Sequence, residues 1–207
     1  MKAIANVHIF FNNRESYIPP GGEWGKFQHA DSMRLALFAA ESWKRNGWTP
    51  KFYNTRETVG FAEGELKRLR NDYPTEFLNC WFEMRKLAPA WFSTTDVYNR
   101  AFRPSDAIEA MESAGFPEAI SVQKVTFATA CMWVTPTFCD QVIALIRSYE
   151  KGSLSLPPIE LVSDEHIIRH HGSFKTVPVM AFAGAEAGWE FAPLIHFARS
   201  CLQWFKM

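Results

Sequence analysis

Short apolar runs and helical periodicity alternate along the first quarter of the chain. Residues 3–11 form a dense β-prone run that predicts an opening strand. Apolar side chains from Met33 to Trp43 recur at helical spacing, and Gly47 follows where a helix commonly ends in a left-handed residue. Residues 49–53 are typical of a second strand. A strand, a helix and a strand in this order predict a βαβ unit and therefore a parallel sheet.

The same two patterns continue to the end of the chain. Helices are predicted over residues 61–71, 74–87, 105–114, 136–149, 163–170 and 193–205. Strands are predicted over residues 90–92, 119–122, 125–134 and 176–182. This alternation indicates an α/β fold with a mostly parallel central sheet flanked by helices. At 207 residues, we expect a single domain.

The stretch from Ala90 to Asp96 changes from apolar to polar within a few residues. Ala90, Trp91 and Phe92 are typical of a buried strand, and the polar residues after them lead to the carboxylate of Asp96. Ligands of open α/β sheets bind outside the carboxyl ends of the strands. Asp96 is therefore predicted to lie where a metal ion or a sugar nucleotide would be held. The alternative is that Asp96 only caps a turn.

Charge and cysteine usage narrow the classes of function. The formal net charge is zero, which disfavours a broad electrostatic surface for nucleic acid or anionic membranes. No run approaches the roughly 18 apolar residues of a membrane span, and the N-terminus lacks the apolar core of a signal peptide. The four cysteines lack zinc or redox spacing and indicate mostly buried thiols in a reducing compartment. We therefore expect a cytoplasmic protein.

Several catalytic signatures are missing from the sequence. There is no Gly-x-Gly-x-x-Gly after the first predicted strand and no Gly-Lys-Ser/Thr phosphate loop. The chain also lacks His-Glu-x-x-His and Gly-x-Ser-x-Gly. These absences disfavour nicotinamide dehydrogenases, P-loop NTPases, zincins and α/β-hydrolases.

Three stretches, taken in order, resemble glycosyltransferases of the GT-A type. Residues 7–11 resemble the strand that leads into their nucleotide pocket, and residues 40–53 resemble the helix, turn and strand that come next. Residues 81–97 are similar to their helix and metal-binding strand end. The resemblance implies a single GT-A-like, Rossmann-like domain over residues 1–207.

The resemblance also implies where a sugar donor would bind. Residues 1–103 would form the nucleotide-binding half, and residues 104–207 the acceptor-side half. The side chains that would contact the donor are Asn12, Asn13, Thr94, Asp96 and Asn99. Asp96 matches the last acid of the family's Asp-x-Asp motif, which binds Mn²⁺ or Mg²⁺, and His196 resembles a late histidine that completes the metal shell. Thr94 stands where the motif has its first acid, and one carboxylate binds a divalent ion less tightly than two.

An acidic pair downstream is the candidate catalytic group. Residues 163–166 resemble the segment that supplies the base in inverting members of the family. Asp164 or Glu165 would then deprotonate the acceptor hydroxyl as it attacks the anomeric carbon, which inverts that centre. The alternative is that both carboxylates only stabilise the start of a helix. If neither is the base, a retaining reaction is favoured.

The sequence therefore predicts a transferase that moves a sugar from a nucleoside diphosphate to a hydroxyl acceptor. The acceptor would be a glycan, a small molecule or a modified DNA base. Compact relatives of this kind occur in bacteriophages and bacteria, and a phage protein would act in the host cytoplasm. Two alternatives stay open: a catalytically inactive relative that serves as a binding or structural module, which Thr94 favours, and a phage enzyme that glycosylates DNA.

Overall fold

The computed structural model describes residues 5–11, 29–54, 58–62, 64–69, 75–123, 127–157, 162–182 and 188–196. Within these ranges the strands are β1 (Asn6–Phe11), β2 (Thr49–Asn54), β3 (Ala90–Thr94), β4 (Val97–Asn99), β5 (Ala119–Ser121), β6 (Cys131–Val134), β7 (Lys175–Thr176), β8 (Met180–Phe182) and β9 (Leu194–His196). The helices are α1 (His29–Arg45), α2 (Thr75–Leu87), α3 (Pro104–Ser113), α4 (Pro136–Glu150) and α5 (Asp164–His171), and a 3₁₀ turn spans Trp189–Phe191.

The predicted βαβ unit organises the main sheet. β1 runs parallel to β2 on one side and to β3 on the other. Gly47 turns the chain from α1 into β2 with a φ of +85°, a left-handed conformation that glycine adopts without a steric penalty. The described strands of this sheet follow the order β2-β1-β3-β6-β5-β7, with β6 antiparallel to both of its neighbours and β7 parallel to β5. The predicted α/β fold with a mostly parallel central sheet is confirmed.

A smaller sheet continues from the end of β3. After a two-residue turn the chain enters β4, which pairs antiparallel with β9, and β9 pairs parallel with β8. The register sets Val97 opposite His196. The end of the main sheet and the end of β9 are therefore neighbours, although they are far apart in the sequence.

Aromatic side chains cover both faces of the main sheet. Because side chains alternate along a strand, Trp91 of β3 packs on one face and Phe92 on the other. Trp91 lies in a cluster with Trp48 and Phe102, whose rings meet its ring edge-on with centroids 6.2 and 5.4 Å away. The Trp48 indole also donates a hydrogen bond to the carbonyl of Phe102 at 2.8 Å. Large buried rings on both sides make β3 a firm support for the residues that follow it.

The prediction of a helix over residues 61–71 is wrong for the described residues in this range, which are 61, 62 and 64–69. Residues 64–69 form turns and bends. The backbone N–H groups of Lys67, Arg68 and Leu69 all point to the carboxylate of Glu150, at 2.6 to 2.8 Å. Three amides directed at one side chain cannot also form the bonds of a helix, so this contact with the end of α4 overrides the local pattern.

Two other predicted elements differ from the structure. The tail helix predicted from residue 193 is wrong for residues 194–196, because Leu194 and its neighbours pair with β4 and β8 as the central strand of the small sheet. The strand predicted over residues 125–134 begins only at Cys131. The N–H of Thr129, just before it, is hydrogen-bonded to a glutamate side chain and is not in the sheet.

Two further expectations concern membranes and thiols. Among the described residues no helix combines the length and apolarity that a membrane crossing requires. Cys80, Cys131 and Cys139 are buried thiols, as predicted, and burial raises the pKa of Cys80 to about 12. Cys201 lies outside the described residues.

Candidate functional site

Five polar side chains meet at the carboxyl edge of β3. Thr94 and Asp96 lie at the end of that strand, and Thr129 lies just before β6. Since β6 runs antiparallel to β3, its first residues lie at the same edge as the last residues of β3. Glu165 comes from the first turn of α5, and His196 ends β9. Hydrogen bonds and charge interactions connect all five, so this edge is a polar site built from four separate segments.

Asp96 and His196 are in direct contact. Asp96 Oδ2 lies 3.1 Å from His196 Nε2. The register of β4 with β9 produces this contact, because Asp96 precedes the residue that pairs with His196. The Asp96 side chain is 36% exposed and the His196 side chain 15%, so the pair is open to solvent on the carboxylate side. Two residues that the sequence predicts for one metal site are thus neighbours in space.

Each member of this pair favours the charged form of the other. Desolvation alone raises the pKa of Asp96, but the charge of His196 and hydrogen bonds from His196 and Thr94 outweigh it and hold that pKa below its ordinary value. Desolvation alone lowers the pKa of His196, but the carboxylates of Asp96 and Glu165 outweigh it and raise that pKa. The pair therefore favours an imidazolium beside a carboxylate.

Thr94 orients the Asp96 carboxylate. Its hydroxyl donates a hydrogen bond to Asp96 Oδ1, the oxygen that does not contact His196. Its backbone N–H donates to the carbonyl of Ala130 at 2.8 Å, which ties the end of β3 to the segment before β6. Thr94, which stands where the family's motif has its first acid, therefore holds the Asp96 carboxylate in place.

Asp96 and His196 could supply two ligands to a small divalent cation once His196 has lost its proton. Two adjacent ligands of an octahedral Mg²⁺, each about 2.1 Å from the ion, lie about 3 Å apart. The observed separation of Asp96 Oδ2 and His196 Nε2 is 3.1 Å. No group of three or more His, Cys, Asp or Glu side chains with metal-site geometry occurs within the described ranges. Because Mg²⁺ usually keeps waters and takes oxygens from substrate phosphates, two protein ligands would be enough for such an ion.

Glu165 presents a carboxylate to the same edge. Its Oε1 accepts two hydrogen bonds from Thr129, one from the backbone N–H at 2.9 Å and one from the hydroxyl at 2.8 Å. Both hydrogen bonds that Glu165 accepts from described residues fall on this oxygen. The side chain is half-buried, so its orientation is restricted while access is kept.

Asp164, the other member of the acidic pair, is buried beneath the site. It is only 3% exposed. Its Oδ2 accepts a hydrogen bond from the indole of Trp81 at 2.8 Å, and its Oδ1 accepts one from the N–H of Glu165 at 3.0 Å. Burial, helped by the nearby charge of Glu165, raises the pKa of Asp164 to about 7. The two carboxylates that the sequence could not separate thus have different surroundings: Asp164 anchors the start of α5 and Glu165 faces the site.

Asn99, a predicted donor contact, lies in a buried turn. Asn99 is fully buried, its amide nitrogen donates to the carbonyl of Phe102 at 2.7 Å, and its amide oxygen accepts from the N–H of Phe102 at 2.8 Å. Both polar ends of the Asn99 side chain therefore bind the backbone of a buried turn. Asn12 and Asn13 lie outside the described residues.

Sequence reasoning missed Thr129 and Trp81. The only local signal for Thr129 is a threonine within the apolar stretch from Phe127 to Cys131, a pattern that predicts strand. Trp81 was assigned to a buried helix face, which is correct, since it is fully buried. A helical pattern does not show that one buried ring carries a hydrogen bond to a carboxylate 83 positions away.

Comparisons with known proteins agree with this architecture. No family model matches the sequence, and no curated protein matches it. Among solved structures, the chain is similar to a glycosyltransferase involved in the glycosylation of the major capsid of PBCV-1, with a TM-score of 0.54 and 10% identity over 95% of this chain and 96% of that one. It is also similar to the galactosyltransferase LgtC in complex with donor and acceptor sugar analogs, with a TM-score of 0.46 and 8% identity over 96% of this chain and 91% of that one. The first similarity runs nearly end to end on both chains, so the chain has the GT-A glycosyltransferase fold.

Proposed function

We propose that this protein transfers a sugar from a nucleoside diphosphate to a hydroxyl acceptor. The observation that carries the proposal is the contact of Asp96 with His196 at the carboxyl edge of β3, with Glu165 close enough to raise the pKa of His196. A site for this reaction needs a group that holds a diphosphate and a group that takes a proton, and these three side chains can supply both. The fold is shared with a glycosyltransferase, which is consistent with that reading.

Asp96 and His196 are proposed to hold the donor diphosphate together with Mg²⁺ or Mn²⁺. When bound, the ion would neutralise the charge that builds up on the leaving diphosphate. Asp96 would contribute Oδ2 and His196 Nε2, the two atoms that already face each other. His196 would have to give up its proton to serve as a ligand, so protons and metal compete for this site. Thr94 would keep Asp96 oriented from the opposite oxygen.

Glu165 is proposed as the general base. The acceptor hydroxyl attacks the anomeric carbon, its proton passes to Glu165 Oε2, and the bond from that carbon to the diphosphate breaks as the nucleoside diphosphate leaves. A displacement of this kind inverts the anomeric centre. We do not assign this role to Asp164, which is buried and whose oxygens accept hydrogen bonds from Trp81 and the N–H of Glu165.

A thermal-shift panel of nucleotide sugars tests donor binding. The panel measures the melting temperature of the wild type with nucleoside diphosphates and nucleotide sugars, with and without Mn²⁺. A ligand that binds only the folded state raises the melting temperature by mass action. At a ligand concentration a hundred-fold above Kd, the free energy of unfolding increases by about 2.7 kcal/mol. The expected result is a shift that needs Mn²⁺ in the wild type and disappears in Asp96→Asn, while Glu112→Gln on the exposed face of α3 keeps it.

The other outcomes of this panel are also informative. A shift that does not need metal would retain the donor site and reject the ion. No shift with any nucleotide would reject the proposal and favour the inactive relative, in which Thr94 in place of an acid marks the loss of the metal site. Double-stranded DNA included as a candidate acceptor would test the DNA-modifying alternative, through binding that weakens steeply with salt.

A further inference from the structure

Thr129 contacts Glu165, the member of the acidic pair that faces the site. It donates twice to Glu165 Oε1, from the backbone N–H at 2.9 Å and from the hydroxyl at 2.8 Å. A carboxylate held by two hydrogen bonds on the same oxygen loses most of its freedom to rotate. Charge-assisted bonds of this type are about twice as strong as neutral ones. The hydroxyl of Thr129 therefore determines where Glu165 Oε2 points.

The same segment also supports the other half of the site. Ala130 follows Thr129, and its carbonyl accepts a hydrogen bond from the backbone N–H of Thr94 at 2.8 Å. The Thr94 hydroxyl in turn bonds Asp96. Two consecutive residues before β6 thus lie between the carboxylate proposed for the metal and the carboxylate proposed for the base. The distance between the two functions depends on this short segment.

We propose that Thr129 is a positioning residue for the transfer reaction, which sets the orientation of Glu165 toward the acceptor and, through the Ala130 carbonyl, its spacing from Asp96. This inference rests on the proposed function. Thr129 itself does not contact the reacting atoms; it acts through Glu165. The segment was predicted to be strand, and it leaves the sheet at the point where Thr129 turns to Glu165.

A double-mutant cycle tests the role of Thr129. Thr129→Val removes the hydroxyl and keeps the β-branched shape, while Thr129→Ser keeps the hydroxyl. We expect Thr129→Val to lower kcat about ten-fold, the rate equivalent of one charge-assisted hydrogen bond, with the KM for the donor unchanged. Thr129→Ser should recover most of that loss. In a Glu165→Gln background, Thr129→Val should change the residual kcat by less than about two-fold, since residues that act as a unit are not additive.

A purely structural role for Thr129 gives a different pattern. Loss of packing would lower kcat by the same factor in both backgrounds, and Thr129→Ser would not rescue it. Either result overturns the proposal. Thr176→Val on the exposed edge strand β7 is the control for a threonine-to-valine change and is expected to leave kcat unchanged.

The contact can also be tested without turnover, which separates this inference from the proposed function. The melting temperatures of Thr129→Val, Glu165→Ala and the double variant form a second cycle. If the two side chains are in contact in the wild type, the double variant should melt close to the temperature of the less stable single variant. Thr129→Val alone should lower the melting temperature by about 3–6 °C, the shift expected for the loss of one hydrogen bond to a charged group in a chain of this size. Additive shifts would overturn the contact and with it the proposal. Failure of nucleotide sugars to bind the wild type would instead reject the glycosyltransferase function while leaving the cycle interpretable.

Discussion

Asp164→Asn should make this protein less stable in acid and more stable above neutral pH than the wild type. The raised pKa of about 7 means that folded Asp164 keeps its proton in a range where the unfolded residue, with an ordinary value of 3.8, has lost it. The folded state therefore binds more protons between these two values, and the free energy of unfolding falls as the pH rises. At about 1.36 kcal/mol per pH unit, the 3.2-unit interval amounts to about 4 kcal/mol.

A second, pH-independent term acts against the variant. The asparagine has one oxygen and one NH₂ group, so the NH₂ must face either the Trp81 indole or the N–H of Glu165, both of which are donors. Losing one buried hydrogen bond in this way costs about 1–3 kcal/mol. Near pH 4 this cost stands alone and the variant is the less stable protein. Above pH 7 the relief of about 4 kcal/mol exceeds it, so the order reverses.

Urea unfolding followed by circular dichroism, from about pH 4 to pH 8, measures both terms. The quantity of interest is the difference in unfolding free energy between Asp164→Asn and the wild type, because other titrating groups cancel in it. This difference should rise with pH and level off above pH 7. Glu112→Gln on the exposed face of α3 should give a difference within about 0.5 kcal/mol at every pH. A constant difference for Asp164→Asn would refute the reasoning, and so would one that falls with pH.

Three further variants test separate parts of the account. Burial, with a smaller contribution from the charge of Lys51, lowers the pKa of His8 to about 4, so the His8 contribution to the unfolding free energy should fall by about 3 kcal/mol as the pH falls from 6.5 through 4. His8→Leu lacks this term, so in urea titrations its unfolding free energy minus that of the wild type should rise by about 3 kcal/mol over the same range, and a difference that does not change with pH would contradict the assignment. Glu150→Ala should speed hydrogen exchange of the amides at residues 67–69 by about ten-fold or more, because each of them donates a hydrogen bond to the Glu150 carboxylate. Unchanged exchange rates would show that these hydrogen bonds are not formed in solution. Asn99→Ala should lower the free energy of unfolding by about 2–4 kcal/mol, because the Asn99 amide closes a buried turn. Below its melting temperature, the variant should bind a nucleotide sugar with an unchanged Kd. A higher Kd in the folded variant would support a contact between Asn99 and the donor.

The parts of the site that sequence predicted are those with a local pattern. Asp96 follows an apolar run that ends in polar residues, and that pattern alone indicates the carboxyl end of a strand. Glu165 and its neighbour open a helix in the expected place. The order of these motifs along the chain was enough to imply the fold, since βαβ connectivity leaves few arrangements for the strands between them.

The parts that sequence reasoning missed depend on partners distant in the chain. The Thr129 hydroxyl bonds a glutamate 36 positions away, and the amides of residues 67–69 bond a glutamate more than 80 positions away. The tail segment at residues 194–196 is apolar enough for a helix, but the open edges of β4 and β8 make it a strand. Local propensity is a weak prior in each case, because tertiary hydrogen bonds decide the conformation. Asp164 and Glu165 likewise differ in burial, since Asp164 is buried and Glu165 is half-buried. Two adjacent acidic residues in a sequence give no sign of this difference.

Release of nucleoside diphosphate from a panel of nucleotide sugars, measured with Mn²⁺ and a mixture of hydroxyl acceptors, tests the central claim most directly. The wild type should release the diphosphate from one class of donor. Asp96→Asn should lose donor binding and release together, Glu165→Gln should keep binding and lose about 10²–10⁴-fold in rate, and Asp164→Asn should retain turnover. A protein that binds the donor equally well without the Asp96 carboxylate, or that turns over equally fast without the Glu165 carboxylate, would contradict the site described here.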